Sequence, residues 1–181
     1  MNPRTERGLT LIELMVALTI LGILGVLAVP SFNRVIQNNR MATQVNEMVG
    51  TLTGARSEAI KQGTSVTVCK SADGSACAGS GTWTQGWIVF LDVGGDGAVD
   101  AGTDTILREH GALGGGNSLA GNAAVANLVT FNSRGFASSI ATGATGTLSL
   151  CNGAGVVDDR GITIQPTGRT RLAVAAEVSC P

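Results

Sequence analysis

The chain contains no tyrosine, two tryptophans, four phenylalanines and one histidine in 181 residues. With His110 alone, neither a histidine metal cluster nor a Ser-His catalytic pair with a spare imidazole can be assembled. No G-x-S-x-G nucleophile elbow is present. The Gly-rich stretch of residues 111–121 lacks the Lys-Ser/Thr that completes a phosphate loop, and reads as a flexible surface loop. The four cysteines, Cys69, Cys77, Cys151 and Cys180, are spaced too widely for a CxxC zinc or redox motif. Asp92, Asp96, Asp100 and Asp104 recur every four residues, but an EF-hand needs a ligand where Gly94 stands and a Glu where Thr103 stands. They read as a solvated acidic turn. Enzymatic activity, a bound metal and a cofactor are therefore not expected. A net charge of −1 also excludes the chain as a whole from binding polyanions through bulk charge.

What is present is small and apolar. Glycine numbers 26 and hydrophobic residues make up 44%, which suits a β-rich domain with long loops, one modest globular unit at most. Trp83 and Trp87 read as core or loop anchors. The N-terminus differs from the rest. A short leader, residues 1–8, carries Arg4 and Arg7 against Glu6, as in the positive region of an export signal. Residues 14–29 form an apolar run in which Thr19 is the one polar residue, and residues 9–29 have the length of a membrane span with Glu13 inside. A carboxylate within such a segment costs a few kcal/mol in lipid and is read as functional by default. Export leads to an oxidising compartment, so two disulfides are expected. Four cysteines permit three pairings. Cys69–Cys77 with Cys151–Cys180 is favoured because each pair brackets one loop or hairpin; buried free thiols are the alternative.

Beyond residue 30 the pattern becomes one-sided. Met41, Val45, Met48, Val49, Leu52, Ala55, Ala59 and Ile60 follow i, i+3, i+4 spacing. Gly54 within this stretch suggests a tight packing point, and Gly63 a helix C-terminus. One helix over residues 9–62 is expected, ~80 Å long at 1.5 Å per residue. Strands are expected at residues 64–69, 87–91, 105–107, 128–131, 147–151, 161–165 and 171–178, separated by turn residues. The fold class is α+β, one long N-terminal helix packed on an antiparallel sheet or small β-sandwich.

Gly8-Leu9-Thr10-Leu11-Ile12-Glu13 resembles the class III signal of type IV pilins and type II secretion pseudopilins, with Leu9 where Phe is usual. The resemblance implies cleavage between Gly8 and Leu9 by a prepilin peptidase, and methylation of the new N-terminus. It implies a kink-forming role for Pro30 and an assembly role for Glu13, paired with the N-terminal amine of a neighbouring subunit. Residues 54–59, Val68-Cys69-Lys70, Gly86-Trp87-Ile88-Val89-Phe90 and the segment from Val129 to Gly135 resemble the GspH/FimT branch of that family. The implied division is leader 1–8, membrane or filament-core helix 9–30, amphipathic helix 31–62 and globular β domain 63–181. The implied location is the inner membrane with a periplasmic domain, and then the filament. Implied partners are other pilins or pseudopilins, the peptidase and the membrane.

The globular part, residues 63–181, carries six basic and nine acidic residues. Against that background Gly168-Arg169-Thr170-Arg171 stands out at the last strand. In an extended strand Leu172, Val174 and Val178 share one face, and Arg169 and Arg171 point the other way, to solvent. Two guanidiniums so spaced can meet phosphates of one strand. The element resembles the GRxR motif of DNA-binding minor pilins that serve natural transformation. This implies contacts of Arg169 and Arg171 with double-stranded DNA without sequence readout, with Gly168 part of the same element and Lys70 or Arg134 joining if the fold allows. The alternatives are a GspH-like minor pseudopilin of type II secretion and a purely structural, pilus-initiating subunit.

Overall fold

The computed structural model describes residues 10–180, without the side chains of residues 26–30. Gly8 and Leu9, the expected processing site, lie outside the described residues, as does the side chain of Pro30. The chain divides into a first unit that ends at Ile36 and a second, Gln37–Pro181. The division falls inside the helix because the helical residues from Met41 onward belong to the core of the second unit.

Helix α1 runs over Leu11–Gln62. Its start is held by a capping box that the S/T-x-x-E spacing encodes. Thr10 donates its backbone N–H and its hydroxyl to Glu13 Oε2 at 2.9 and 2.8 Å, and Glu13 N–H donates to Thr10 Oγ1 at 3.3 Å. Its end is closed by Gly63 at φ +68°, whose N–H donates to the Ala59 carbonyl at 3.0 Å. In the first unit the described apolar side chains, Leu11 to Leu24, are all exposed. Among the described residues no helix is long and apolar enough to cross a membrane; residues 26–30 of the apolar run are not covered by that statement.

In the second unit the one-sided pattern becomes a buried seam. Met41, Met48, Leu52 and Ala59 are fully buried, with Val45 and Ala55 close behind. Ile60, expected in that stripe, is instead 52% exposed, with its Cδ1 against Gly135 of the loop after β5.

The β part consists of β1 (Ser65–Lys70), β2 (Trp87–Asp92), β3 (Thr105–His110), β4 (Ser118–Gly121), β5 (Leu128–Phe131), β6 (Gly146–Cys151), β7 (Arg160–Ile164) and β8 (Thr170–Leu172). Two antiparallel four-stranded sheets form, ordered β3-β2-β1-β5 and β4-β6-β7-β8. The helix seam, Val66, Val68, Trp87 and Val89 of the first sheet, and Leu148, Leu150, Ile162 and Ile164 of the second share one core. Alternation along β1 and β2 sends Cys69, Ile88 and Phe90 to the other face, where Cys77, Val99 and Leu128 cover them. Both tryptophans are core anchors, and Trp83 Nε1 donates to the Val125 carbonyl at 3.0 Å.

Several elements depart from the sequence reading. Residues 111–121 are not all loop: Ser118–Gly121 pairs with β6 as β4, and Leu119 and Asn117 are buried. Glycine abundance hid a strand whose pairing is tertiary. β3 continues to His110 through Arg108 and Glu109, since an edge strand needs no apolar alternation. The last strand stops at Leu172, and Ala175–Glu177 forms a 3-10 turn. Leu172 and Val174, expected inward, are 57% and 59% exposed. Local hydrogen bonding outcompetes extension here, because Glu177 Oε2 accepts the Val174 N–H at 2.9 Å.

The disulfides are Cys69–Cys77 and Cys151–Cys180, the favoured pairing. The acidic turn is internally bonded. Asp92 is buried and accepts from Thr67 Oγ1 at 2.7 Å and from the Gly95 and Gly97 N–H groups at 2.6 and 3.1 Å. Asp104 accepts from the Val93 and Asp100 N–H groups at 3.0 and 2.9 Å.

Gly54 is not a tight packing point. A Cβ there meets only Arg108 Nη1, at 4.0 Å. Replacing it relieves a helix-interior glycine without a clash, so Gly54→Ala is expected to raise stability by about 0.5–1 kcal/mol. Chemical denaturation of the variant beside wild type checks this, and a lowered midpoint would refute the packing assignment.

Candidate functional site

The residues singled out at the C-terminus do not act as one strand face. Arg169 is exposed in the tight connection between β7 and β8. That connection is a turn in which the Gly168 N–H donates to the Gln165 carbonyl at 2.8 Å and the Gln165 N–H donates to the Arg169 carbonyl at 2.9 Å. Pro166 opens the turn and Gly168, at φ +77°, closes it. Arg171 is in a different state. Its Nη1 and Nη2 donate to Glu177 Oε2 and Oε1 at 2.9 and 2.6 Å, and Nη1 also reaches the Leu172 carbonyl at 3.0 Å. This bidentate pair raises the Arg171 pKa. In turn the Arg171 guanidinium, with the Val174 N–H, holds the Glu177 carboxyl below the usual carboxylate range. The pair therefore persists through neutral pH, and Arg171 is not the free cation that strand parity suggested.

Lys70 is excluded from any surface role. It is 4% exposed, and its Nζ donates to the Gly81 carbonyl at 2.9 Å. The burial follows from β1, which is covered on both faces, so the lysine serves the 70–86 loop instead of solvent.

Arg134 is brought to the motif. It is exposed in the loop after β5, where Asn132 Oδ1 accepts the N–H groups of Arg134 and Phe136 at 3.0 and 3.1 Å. This loop docks on the β7–β8 turn: the Ala137 N–H donates to the Pro166 carbonyl at 2.9 Å. The contact is closest between two glycines. A Cβ on Gly168 would run into the Gly135 carbonyl oxygen, and one on Gly135 would meet Ile60 Cδ1 at 2.7 Å. Arg56, on α1, enters at the same point, its Nε donating to the Gly135 carbonyl at 2.9 Å. Three arginines thus converge on one Gly–Gly contact from three parts of the chain, and none has an acidic partner among the described residues.

Arg56 is the functional candidate that sequence reading missed. It sits in the helix stretch 54–59, which carries the GspH/FimT resemblance but no sign that Arg56 is a site residue. No local signal marks it, because its neighbours Gly135 and Gly168 lie far away in sequence. At the other end of the chain, the Glu13 carboxylate is engaged with Thr10 through one oxygen, Oε2.

The remaining titratable groups offer less. His110 stacks on Trp87 with ring centroids 3.9 Å apart and its Nε2 lies 3.3 Å from Glu47 Oε2. Cys151, Asp159 and Cys180 place ligand-type atoms within 4.8 Å of one another, but both sulfurs belong to a disulfide and cannot serve a metal.

The Gly–Gly contact sets a stability prediction. Gly168→Ala combines an unfavourable positive φ with a backbone collision, and is expected to cost about 1–3 kcal/mol. Thermal unfolding measures it, and an unchanged midpoint would show that the turn does not seat on the Arg134 loop.

A sequence model of the family described as type II transport protein GspH matches residues 44–168, and the prokaryotic N-terminal methylation motif matches residues 3–29. No curated protein matches the sequence. The fold is similar to the type IV minor pilin FimU of Pseudomonas aeruginosa strain PAO1, at TM-score 0.58 and 20% identity over 78% of this chain and 94% of that one. It is similar also to the minor pseudopilin EpsH of the Vibrio cholerae Type 2 Secretion System, at TM-score 0.51 and 18% identity over 76% of this chain and 99% of that one. The long helix, the antiparallel sheets seated on its second half and the methylation motif at its start agree with these matches, and the chain belongs to the GspH family of type II transport proteins.

Proposed function

We propose that the protein is a minor pilin of a type IV pilus, placed at or near the filament tip, that supports assembly and binds DNA through the surface built by Arg169, Arg134 and Arg56. The observation that carries the DNA reading is the docking of the β7–β8 turn on the Arg134 loop. It concentrates guanidiniums free of ion pairs on a globular part whose overall balance is acidic. Phosphates need only cations and donors spaced along a backbone, so recognition without sequence readout follows. Arg171 contributes only when a phosphate displaces Glu177. With few contacts, one subunit binds weakly and with strong salt dependence.

The purified full-length chain in detergent, mixed with duplex DNA at low salt, tests this. Wild type is expected to retard the duplex. Arg134→Gln/Arg169→Gln is expected to weaken binding at least tenfold at low salt and to flatten the salt dependence by roughly two phosphate contacts. Glu177→Gln, which frees Arg171, is expected to strengthen it. Failure of wild type to bind either the duplex or a single strand of matching length at low salt would sink the DNA reading.

The N-terminal segment supports the assembly reading. Processing between Gly8 and Leu9 by a prepilin peptidase, anchoring in the inner membrane by residues 9–30 and a periplasmic globular part before assembly form one consistent route. The capping box uses only Oε2 of Glu13, which leaves Oε1 to accept a charge-assisted bond from the N-terminal amine of a neighbouring subunit in an apolar setting. Glu13→Val is expected to abolish incorporation into filaments while leaving the protein membrane-associated. Normal filaments from that variant would remove the role. A minor pseudopilin of type II secretion is the second reading, favoured by the description of the matching family. A deletion strain scored separately for twitching, transformation and secretion separates the two.

A further inference from the structure

Phe136 is out of place for a residue that serves only the fold. Its sequence neighbours Gly135 and Ala137 are buried, and so are Phe90 and Phe131, yet Phe136 is 48% exposed. It is not on a loose segment. Asn132 grips it from both sides, with the Asn132 N–H donating to the Phe136 carbonyl at 2.9 Å and Asn132 Oδ1 accepting the Phe136 N–H. Phe131 and Ala137 bridge the base of the loop, and Ala137 is tied to Pro166. The backbone that carries the exposed ring is therefore pinned at the surface. The Arg134 guanidinium lies 5.9 Å from its centroid, within cation–π range. The Gly135–Gly168 contact sets Arg169 and Arg56 beside the same loop.

Duplex DNA presents phosphates and groove edges to such a surface, and its base faces are stacked away. An exposed aromatic on a pinned backbone beside cations matches the demands of single-stranded nucleic acid. There, cations track the backbone and rings take up unstacked bases, whatever their identity. We propose that Phe136 is a base-stacking platform, and that the preferred ligand of this surface is single-stranded nucleic acid, with a base on Phe136 and its flanking phosphates on Arg134 and Arg169. This rests on the nucleic-acid reading above and names its ligand class. A neighbouring pilin subunit covering Phe136 is the competing occupant.

The test uses the full-length chain in detergent and fluorescence anisotropy with a labelled short oligothymidylate and a duplex of matching length. Wild type is expected to bind the single strand more tightly than the duplex. Phe136→Ala is expected to lower single-strand affinity by roughly 5- to 140-fold and to leave duplex affinity within about twofold. Phe136→Trp, which keeps a stacking face, is expected to restore the single-strand affinity. Thermal unfolding of each variant accompanies the titrations, and the exposed ring predicts unchanged midpoints.

Binding of the duplex with no single-strand preference, or Phe136→Ala affecting both ligands equally, overturns this inference and leaves the DNA reading standing. Unchanged single-strand affinity together with lost filament incorporation assigns Phe136 to the subunit interface and also overturns it. Binding of neither ligand by wild type removes both.

Discussion

The structure depends on the apolar seam that runs along the second half of α1 from Met41 to Ala59. Each large side chain in it, Met41, Met48 and Leu52, is fully buried, and burial of such a group contributes roughly 1.5–3 kcal/mol. Both sheets meet this seam, so the helix is the common wall of a core that neither sheet could close alone. The first half of the same helix has no such wall. Its described apolar side chains are exposed.

The same helix also connects the core to the candidate site. One turn past the buried Leu52 and directly after the buried Ala55, Arg56 reaches out to the Gly135 carbonyl beside the β7–β8 turn. The turn and the loop are thereby fixed against the most buried element of the molecule. Small side chains make this possible. Gly135 and Gly168 are where the backbones touch: a Cβ on Gly168 would collide with the Gly135 carbonyl, and one on Gly135 would press on Ile60 and Arg56. A local charge pattern becomes a surface because two glycines permit close approach.

Electrostatic competition determines which arginines remain available. Arg171 and Glu177 satisfy each other at bidentate geometry, and the pair holds the chain's last turn in place of an extended strand. Lys70 is drawn inward by a loop carbonyl. Arg134 and Arg169 have no acidic partner among the described residues. The basic surface is thus a selection from the basic residues of the chain, made by what lies within reach of each in three dimensions.

The sequence by itself determined the helix, its stop at Gly63 and most strands, because these are local: periodicity, spacing and turn chemistry act over a few residues; it favoured the observed disulfide pairing among three and carries the N-terminal methylation motif. It also contained the capping box, legible in Thr10-x-x-Glu13 as a spacing. The tertiary structure alone decided the rest. Strand β4 exists because β6 offers it a partner. Parity along residues 171–178 pointed Arg171 to solvent, and only the fold of the final turn brought Glu177 back onto it. The convergence of Arg56, Arg134 and Arg169, and the exposure of Phe136 beside them, join positions far apart in the chain. No local pattern encodes such a meeting, since it is set by which backbones the core allows to touch.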